Sequence, residues 1–210
     1  MNYQGDFYTM SDNKEPSAPI STPWEIPCTF STNEGHTWGY KNWVTRPPVE
    51  VESKKRIKQF GRIASRGGNY LLNIGPLPDG TILPYHTEAL NIIGRWTKAN
   101  KEALFDVKPS PFQLMPWGEA THSEGKIYIQ LPEWPKNNKL HIAELASDVK
   151  RAYWLGNKSA DYSFKQDNNG LTVDLPSSAP DKYLPIIVLE YAGKLNINSP
   201  LTPQSNDKQI

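Results

Sequence analysis

A chain of 210 residues can bury one large core or two small ones, and its low hydrophobic share of 37% is offset by seven Trp, ten Tyr and six Phe, which bury much area per residue. A net charge of +1, with no basic run and no acidic tail, gives no reason to expect nucleic acid or an anionic membrane as partner. No apolar stretch reaches the ~20 residues that span a bilayer, and the single Cys28 cannot build a disulfide framework.

The start, Met1-Asn2-Tyr3-Gln4-Gly5-Asp6-Phe7, lacks the charged and apolar regions of a secretory signal, so the compartment is unreadable here. Residues 1–23 are polar and Pro-rich and read as a loop entering a structure already under way. Residues 24–45, WEIPCTFSTNEGHTWGYKNWVT, lack a helical period and read as a short strand and a long loop. Pro47-Pro48 opens a helix over Val49–Ala64. Ile57, Phe60, Ile63 and Ala64 share one face, and Lys54, Lys55, Arg56, Lys58 and Arg62 lie mostly elsewhere. Gly67-Gly68 stops this helix as a left-handed C-terminal cap.

Asn69–Pro76 is a short apolar run with turn signals at both ends, the pattern of a strand buried on both faces in a parallel sheet. After the tight turn Pro78-Asp79-Gly80, a second helix is expected over 85–104, with Ala89, Ile92, Ile93 and Trp96 at helical spacing. Helix, strand, turn and helix in so short a span is α/β architecture, as in the last units of a β/α barrel.

Beyond Phe105 the pattern changes. Lys108-Pro109-Ser110-Pro111 reads as a linker. Apolar or alternating runs follow at 126–131, 139–145, 152–155, 171–175 and 184–191, parted by Ser123-Glu124-Gly125, Asn137-Asn138 and Asn168-Asn169-Gly170. Such spacing points to an antiparallel β-sandwich. The expected division is therefore 1–107 for an α/β part, 108–194 for an all-β part and 195–210 for a polar tail. Oligomeric state is not legible.

Chemistry concentrates in the first part. Glu34 and His36 stand beside Trp38 and Tyr40, and sugars are bound by aromatic faces together with charged groups that reach their hydroxyls. Apolar rings also raise the pKa of a nearby carboxyl, as a general acid near neutral pH requires. Against this stands the ordinary reading of Glu34 as a solvated loop carboxylate. Trp24-Glu25 is either a stacking platform with a carboxylate or a core Trp beside a locally paired Glu. Asn69 and Asn73, in an apolar strand, imply first a structural network, and second a site at the strand's C-terminal end. The glycines around them do not open a helix, which argues against a phosphate loop. His86, His122 and His141 make no zinc spacing with one Cys, and no GxSxG marks a nucleophile elbow.

These segments carry a resemblance. WEIPCTF…TWGY, SRGGNYLLNIGPLPDGTILP and LNIIGRWTKANKEALF, with Gly94, Trp96, Asn100, Glu102, Ala103, Leu104 and Phe105 in the last, are similar to glycoside hydrolase family 29, the α-L-fucosidases. The resemblance runs over roughly residues 3–106; the second half matches the family's C-terminal β-sandwich by position and strand spacing alone. It implies retaining hydrolysis of terminal α-linked L-fucose on a glycan, by an Asp nucleophile and a second carboxyl as acid and then base, with no metal or organic cofactor.

The family's nucleophile and its N-terminal fucose-holding His and Trp lie on barrel strands that would precede Met1, so the resemblance implies a fragment that is inactive alone. In one group of members the acid/base stands four residues before the Trp of WGY, which is Glu34 here. In another it follows the GY pair, where Asn42, Trp43 and Val44 cannot donate a carboxyl proton. Glu34 is therefore the expected acid/base, with Glu25 as the fallback. His36, Trp38, Trp24 and Glu25 are expected to line the substrate site. An alternative of a different class is a non-catalytic carbohydrate-binding or interaction β-module, using Trp117, Trp134 and Trp154.

Overall fold

The computed structural model describes residues 6–36, 38–113 and 115–200, apart from the side chain of His36. They form two compact units that divide between Lys98 and Ala99.

In the first unit, β1 (Tyr8–Thr9), β2 (Trp24–Thr29) and β5 (Gly68–Asn73) make a parallel sheet in the order β1-β2-β5. Between β2 and β5 the chain forms a short antiparallel hairpin, β3 (Ser31–Thr32) and β4 (Gly35–His36), and then α1 (Val49–Ser65). Two acidic residues in the first turn of α1, Glu50 and Glu52, suit its dipole. The helix ends through Gly67, whose φ of +78° few other residues adopt without strain. Helix α2 (Pro84–Ala99) follows, with His86, Ala89, Ile92, Ile93 and Trp96 on its buried side.

Alternation sorts β2 cleanly. Trp24, Ile26 and Cys28 form a core with Ile20 and Ile63 of α1, while Glu25, Pro27 and Thr29 take the opposite face. In register with those three stand Asn69, Leu71 and Asn73 of β5. Leu71 is 46% exposed, so β5 is not covered on both faces as its apolar run predicts. Among the described residues it is an edge strand of the sheet, and it packs against α1. Gly68 is required at the start of β5 because a Cβ there would sit 2.3 Å from the Trp24 indole.

Polar residues tie α1 to its surroundings more deeply than periodicity suggests. Arg56, expected away from the apolar face, is 1% exposed and pairs at 2.7 Å with Glu52, equally buried. Glu15, in the loop before β2, receives hydrogen bonds from Gln59 and Arg62. Burial pushes its carboxyl upward, but Arg62, Gln59 and Arg66 outweigh it and hold Glu15 below its ordinary range.

The second unit contains a four-stranded antiparallel sheet, β6 (Glu119–Ser123), β7 (Lys126–Gln130), β12 (Ile186–Tyr191) and β9 (Val149–Trp154), in that order. A three-stranded antiparallel sheet joins β10 (Phe164–Asp167), β11 (Gly170–Asp174) and β8 (Lys139–Ile142). One apolar core draws Ile127, Ile129, Ala152, Ile187 and Leu189 from the first sheet and Leu140, Ile142, Leu171 and Val173 from the second. No helix among the described residues is long and apolar enough to cross a membrane.

Residues 99–107, grouped by sequence with the first unit, belong to the second. The second helix stops at Ala99, short of the expected 104, and a 3-10 turn, Lys101–Ala103, follows. The Ala103 carbonyl accepts the Thr121 hydroxyl at 2.7 Å. Glu102 receives hydrogen bonds from Lys126, Tyr128 and Lys158. Burial pushes the Glu102 carboxyl upward, but those three donors outweigh it and hold it at about 2, against an ordinary 4.5.

A depressed folded-state pKa lends stability that is complete above the unfolded value and is lost as pH falls through the folded one. Glu102→Gln is therefore expected to cost about 1 kcal/mol at pH 7, after allowance for solvent screening. Its deficit in urea melts should close between about pH 4.5 and 2. A deficit that holds constant over that window would assign Glu102 to packing alone.

Candidate functional site

The site is assembled where β2 and β5 end. Thr29 and Asn73 are the last residues of the two strands and face each other in register. The Asn73 amide donates to the Thr29 hydroxyl at 3.2 Å and to the Trp38 carbonyl at 2.9 Å. Gly75 completes the seat, since a Cβ on it would lie 2.6 Å from the Gly39 and Tyr40 backbone. The glycine after β5 is thus demanded by close approach of the Trp38-Gly39-Tyr40 loop. Asn73 and Gly75 do the holding; a polar residue and a glycine closing an apolar strand were the signal for them.

Glu34 lies in the turn between β3 and β4, just beyond the end of β2. Its carboxylate is exposed and accepts from the Thr45 hydroxyl at 3.0 Å and from the Thr45 N–H at 3.2 Å. Asn33 reinforces the clasp, donating its N–H to the Thr45 carbonyl and its amide to the Thr45 hydroxyl. The little desolvation present pushes Glu34 upward, but the Thr45 donors outweigh it and hold the carboxyl below its ordinary value. This is the reverse of the rise expected from neighbouring rings. Within this chain the carboxylate is exposed, and its described hydrogen bonds come from Thr45.

The other sequence candidates separate. Trp38 is 41% exposed on the docked loop. His36 pairs through its backbone with Ser31, and its side chain lies outside the described residues. Trp24 is a core residue: it is fully buried, its indole N–H donates to the Arg66 carbonyl at 3.2 Å, and its ring covers Gly68. Neither face of that ring is free for a sugar, so the platform reading of Trp24 is corrected. Glu25 is half-buried on the open face of the sheet and accepts from the Thr9 hydroxyl at 3.1 Å.

Arg46 closes the loop after Tyr40 by donating to the Lys41 and Val44 carbonyls. Among the described residues, no group of three or more His, Cys, Asp or Glu is placed to hold a metal ion.

In the second unit the three candidate tryptophans are partly buried against the core. Trp117 stands edge-on to Phe112, with ring centroids 5.6 Å apart. Trp134 donates to the Pro176 carbonyl, and Trp154 lies over Gly156. Their contacts are those of packing side chains.

The chain is similar to several known proteins. The family model described as alpha-L-fucosidase matches residues 1–102. The tissue α-L-fucosidase of Bos taurus is 32% identical over 181 residues, covering 85% of this chain and 38% of that protein. The crystal structure of an α-L-fucosidase from Vibrio sp. strain EJY3 superposes with a TM-score of 0.76 at 32% identity, over 90% of this chain and 33% of that one. A family 29 α-L-fucosidase from Bacteroides thetaiotaomicron, trapped as a covalent intermediate with 2-fluoro-fucosyl fluoride, gives 0.74 at 23% identity, over 90% and 44%. The chain thus spans about two-fifths of the length of its curated bovine relative.

By class, then, the proteins this chain is similar to are hydrolases of the glycosidase kind. Its family resemblance is to glycoside hydrolase family 29, the α-L-fucosidases.

Proposed function

We propose that this chain forms the C-terminal part of a retaining α-L-fucosidase, with the end of a β/α barrel in its first unit and a β-sandwich in its second, and that it carries the acid/base carboxyl but not the nucleophile. The single observation in support is the position of Glu34 on a hairpin that follows β2, beside a loop held to the end of β5 by Asn73 and Gly75. In parallel α/β architecture, reacting groups gather at the C-terminal ends of the strands. The open face of the sheet, with Glu25, Thr29, Asn69, Leu71 and Asn73, is then the part of the barrel interior that other strands close.

In this reading a carboxylate from the remainder of the catalytic domain attacks the anomeric carbon of a terminal fucose. Glu34 gives its proton to the departing glycosidic oxygen. Glu34 then takes a proton from water as that water opens the fucosyl-enzyme, so configuration is retained. The two carboxyls must stand about 5–5.5 Å apart for this. Closure of the pocket around Glu34 supplies the desolvation that raises its pKa toward the value a general acid needs. His36 and Trp38 line the wall beside it, and the substrate is a fucosylated glycan.

Assay of the purified 210-residue chain with 4-nitrophenyl α-L-fucoside should give no turnover above buffer. The same chain joined to the N-terminal portion of the Vibrio sp. relative should turn it over. Activity in the isolated chain would overturn the incompleteness, and a folded but inactive chimera would overturn the fucosidase reading.

The Thr45 clasp adds a pH signature. A general acid works protonated, so turnover falls as pH rises through its pKa. Thr45→Val removes one of the donors that depress Glu34. In the joined enzyme it should move the alkaline limb of the kcat/KM profile to higher pH. A limb that stays in place would detach Thr45 from the acid.

A further inference from the structure

We infer that the buried Glu52–Arg56 pair of α1, acting through Ser31, is the positioning post for the hairpin that carries Glu34; this rests on the acid/base reading of that residue.

Ser31 opens β3, three residues before Glu34, and the described hydrogen-bond partners of its N–H and its hydroxyl come from α1. The Ser31 N–H donates to Glu52 Oε1 at 2.8 Å. Its hydroxyl accepts from Arg56 at 2.8 Å and from Lys55 at 2.5 Å. Glu52 and Arg56 are fixed in turn, pairing with each other at 2.7 Å, and Arg56 also donates to Gln59 Oε1 at 2.7 Å. Gln59 Oε1 receives the Tyr70 hydroxyl of β5 at 2.8 Å. The guanidinium lies 5.9 Å from the Phe30 ring, one residue before the hairpin.

This arrangement does more than stabilise. A two-residue-per-strand hairpin cannot hold itself, since isolated hairpins are marginal even when longer. Its register here comes from two external anchors: Thr45 at the Glu34 end and the α1 pair at the Ser31 end. A buried ion pair is a poor source of net stability but a rigid, directional one, because its donors and acceptors tolerate little displacement. Catalytic groups lose about a hundredfold in rate when displaced by 1 Å, so a fixed post behind a short hairpin has kinetic value.

The test uses Ser31→Ala in the joined enzyme, which removes only the hydroxyl and leaves the ion pair and the Ser31 N–H contact. Two substrates separate the roles: 2,4-dinitrophenyl α-L-fucoside, whose leaving group departs without a proton, and a fucosyl disaccharide, whose leaving group needs one. If Ser31 positions the acid, S31A lowers kcat/KM for the disaccharide roughly tenfold and leaves the dinitrophenyl substrate within about twofold, while Ser31→Thr restores the disaccharide rate. Equal losses on both substrates would mean general loosening and overturn the proposal, as would no loss.

Glu34→Ala is run in parallel. If it shows no leaving-group dependence, the acid/base reading fails and the proposal falls with it. If Glu34→Ala shows the dependence and S31A does not, the positioning role alone is wrong. Amide exchange in the 210-residue chain supplies the structural readout: S31A should speed exchange at the Ser31 and His36 amides and leave β2 and β5 unchanged.

Discussion

Replacing Glu34 by Ala in the joined enzyme is expected to cut kcat/KM for fucosyl disaccharides by about 10²–10⁴, the range by which general acid catalysis accelerates such steps. For 2,4-dinitrophenyl α-L-fucoside, kcat/KM should hold nearly constant, because the phenolate leaves unaided. Its kcat should nonetheless fall, since water attacking the fucosyl-enzyme has lost its base. Azide needs no base, so adding it should restore kcat and yield α-L-fucosyl azide, with the configuration that double displacement preserves. The expectation follows from the placement of Glu34 past the end of β2, with its carboxylate held by Thr45 and free of any cation partner among the contacts described. Uniform loss across leaving groups without azide rescue would assign Glu34 to folding, and attention would pass to Glu25.

The second large effect concerns stability. Arg56→Met should destabilise the 210-residue chain by about 3–5 kcal/mol, because it strands the buried Glu52 carboxylate without its counter-charge. Three acceptors lose a donor at once: Glu52 Oε1, Gln59 Oε1 and the Ser31 hydroxyl. Most of the cost belongs to the orphaned charge rather than to the lost contacts. Glu52→Gln combined with Arg56→Met should therefore recover a large part of it, since the amide oxygen can still accept the Ser31 N–H and no buried charge remains. Urea midpoints of the two single variants and the double variant measure the coupling directly. Additive losses would show that the pair is not an energetic unit.

The two predictions probe different links. Glu34 is exposed, and its importance depends on surroundings that close over it. Arg56 is enclosed by this chain alone, so its effect is measurable in the chain by itself.

Much of the fold was legible because local signals agreed with global packing. Helix α1 begins after Pro48 and ends before Gly67, where the proline and glycine signals place its ends. Strands β7, β8 and β12 lie within the apolar runs read from sequence, β11 begins one residue before its run, and positive φ occurs at Gly125 and Asn138 in turns between strands and at Gly170 where β11 opens. Strands β6 and β10 went unseen. Both lie at sheet edges and carry few apolar residues, so pairing with β7 and β11 decides them rather than their own pattern. The end of α2 was overrun because Ala103 continues the helical face, yet Ala103 and its neighbour Glu102 are bound to β6 and β7 instead.

For the site, residue types drew attention to Glu34, Trp38, Asn69 and Asn73 as candidates, and the structure shows Asn69 and Asn73 in hydrogen bonds that tie strand to strand and strand to loop. Residue types could not separate Trp24, whose indole is equally suited to a sugar and to a core; only contact with Gly68 and Arg66 decides it. Within this chain the direction of the Glu34 pKa is the opposite of the one read from the neighbouring aromatic residues, because Thr45, eleven residues away, folds back onto the carboxylate and donates to it.

What the sequence alone determined, then, is periodicity, turn chemistry and the motif resemblance, all of them carried by residues within a few positions of one another. Tertiary structure decided which polar groups meet: Glu52 and Arg56 with Ser31, Thr45 with Glu34, and Asn73 with the Trp38 carbonyl. The physical reason is that hydrogen-bond and ion-pair energies depend on ångström-scale distance and on burial, and neither is encoded in the local pattern of residue types.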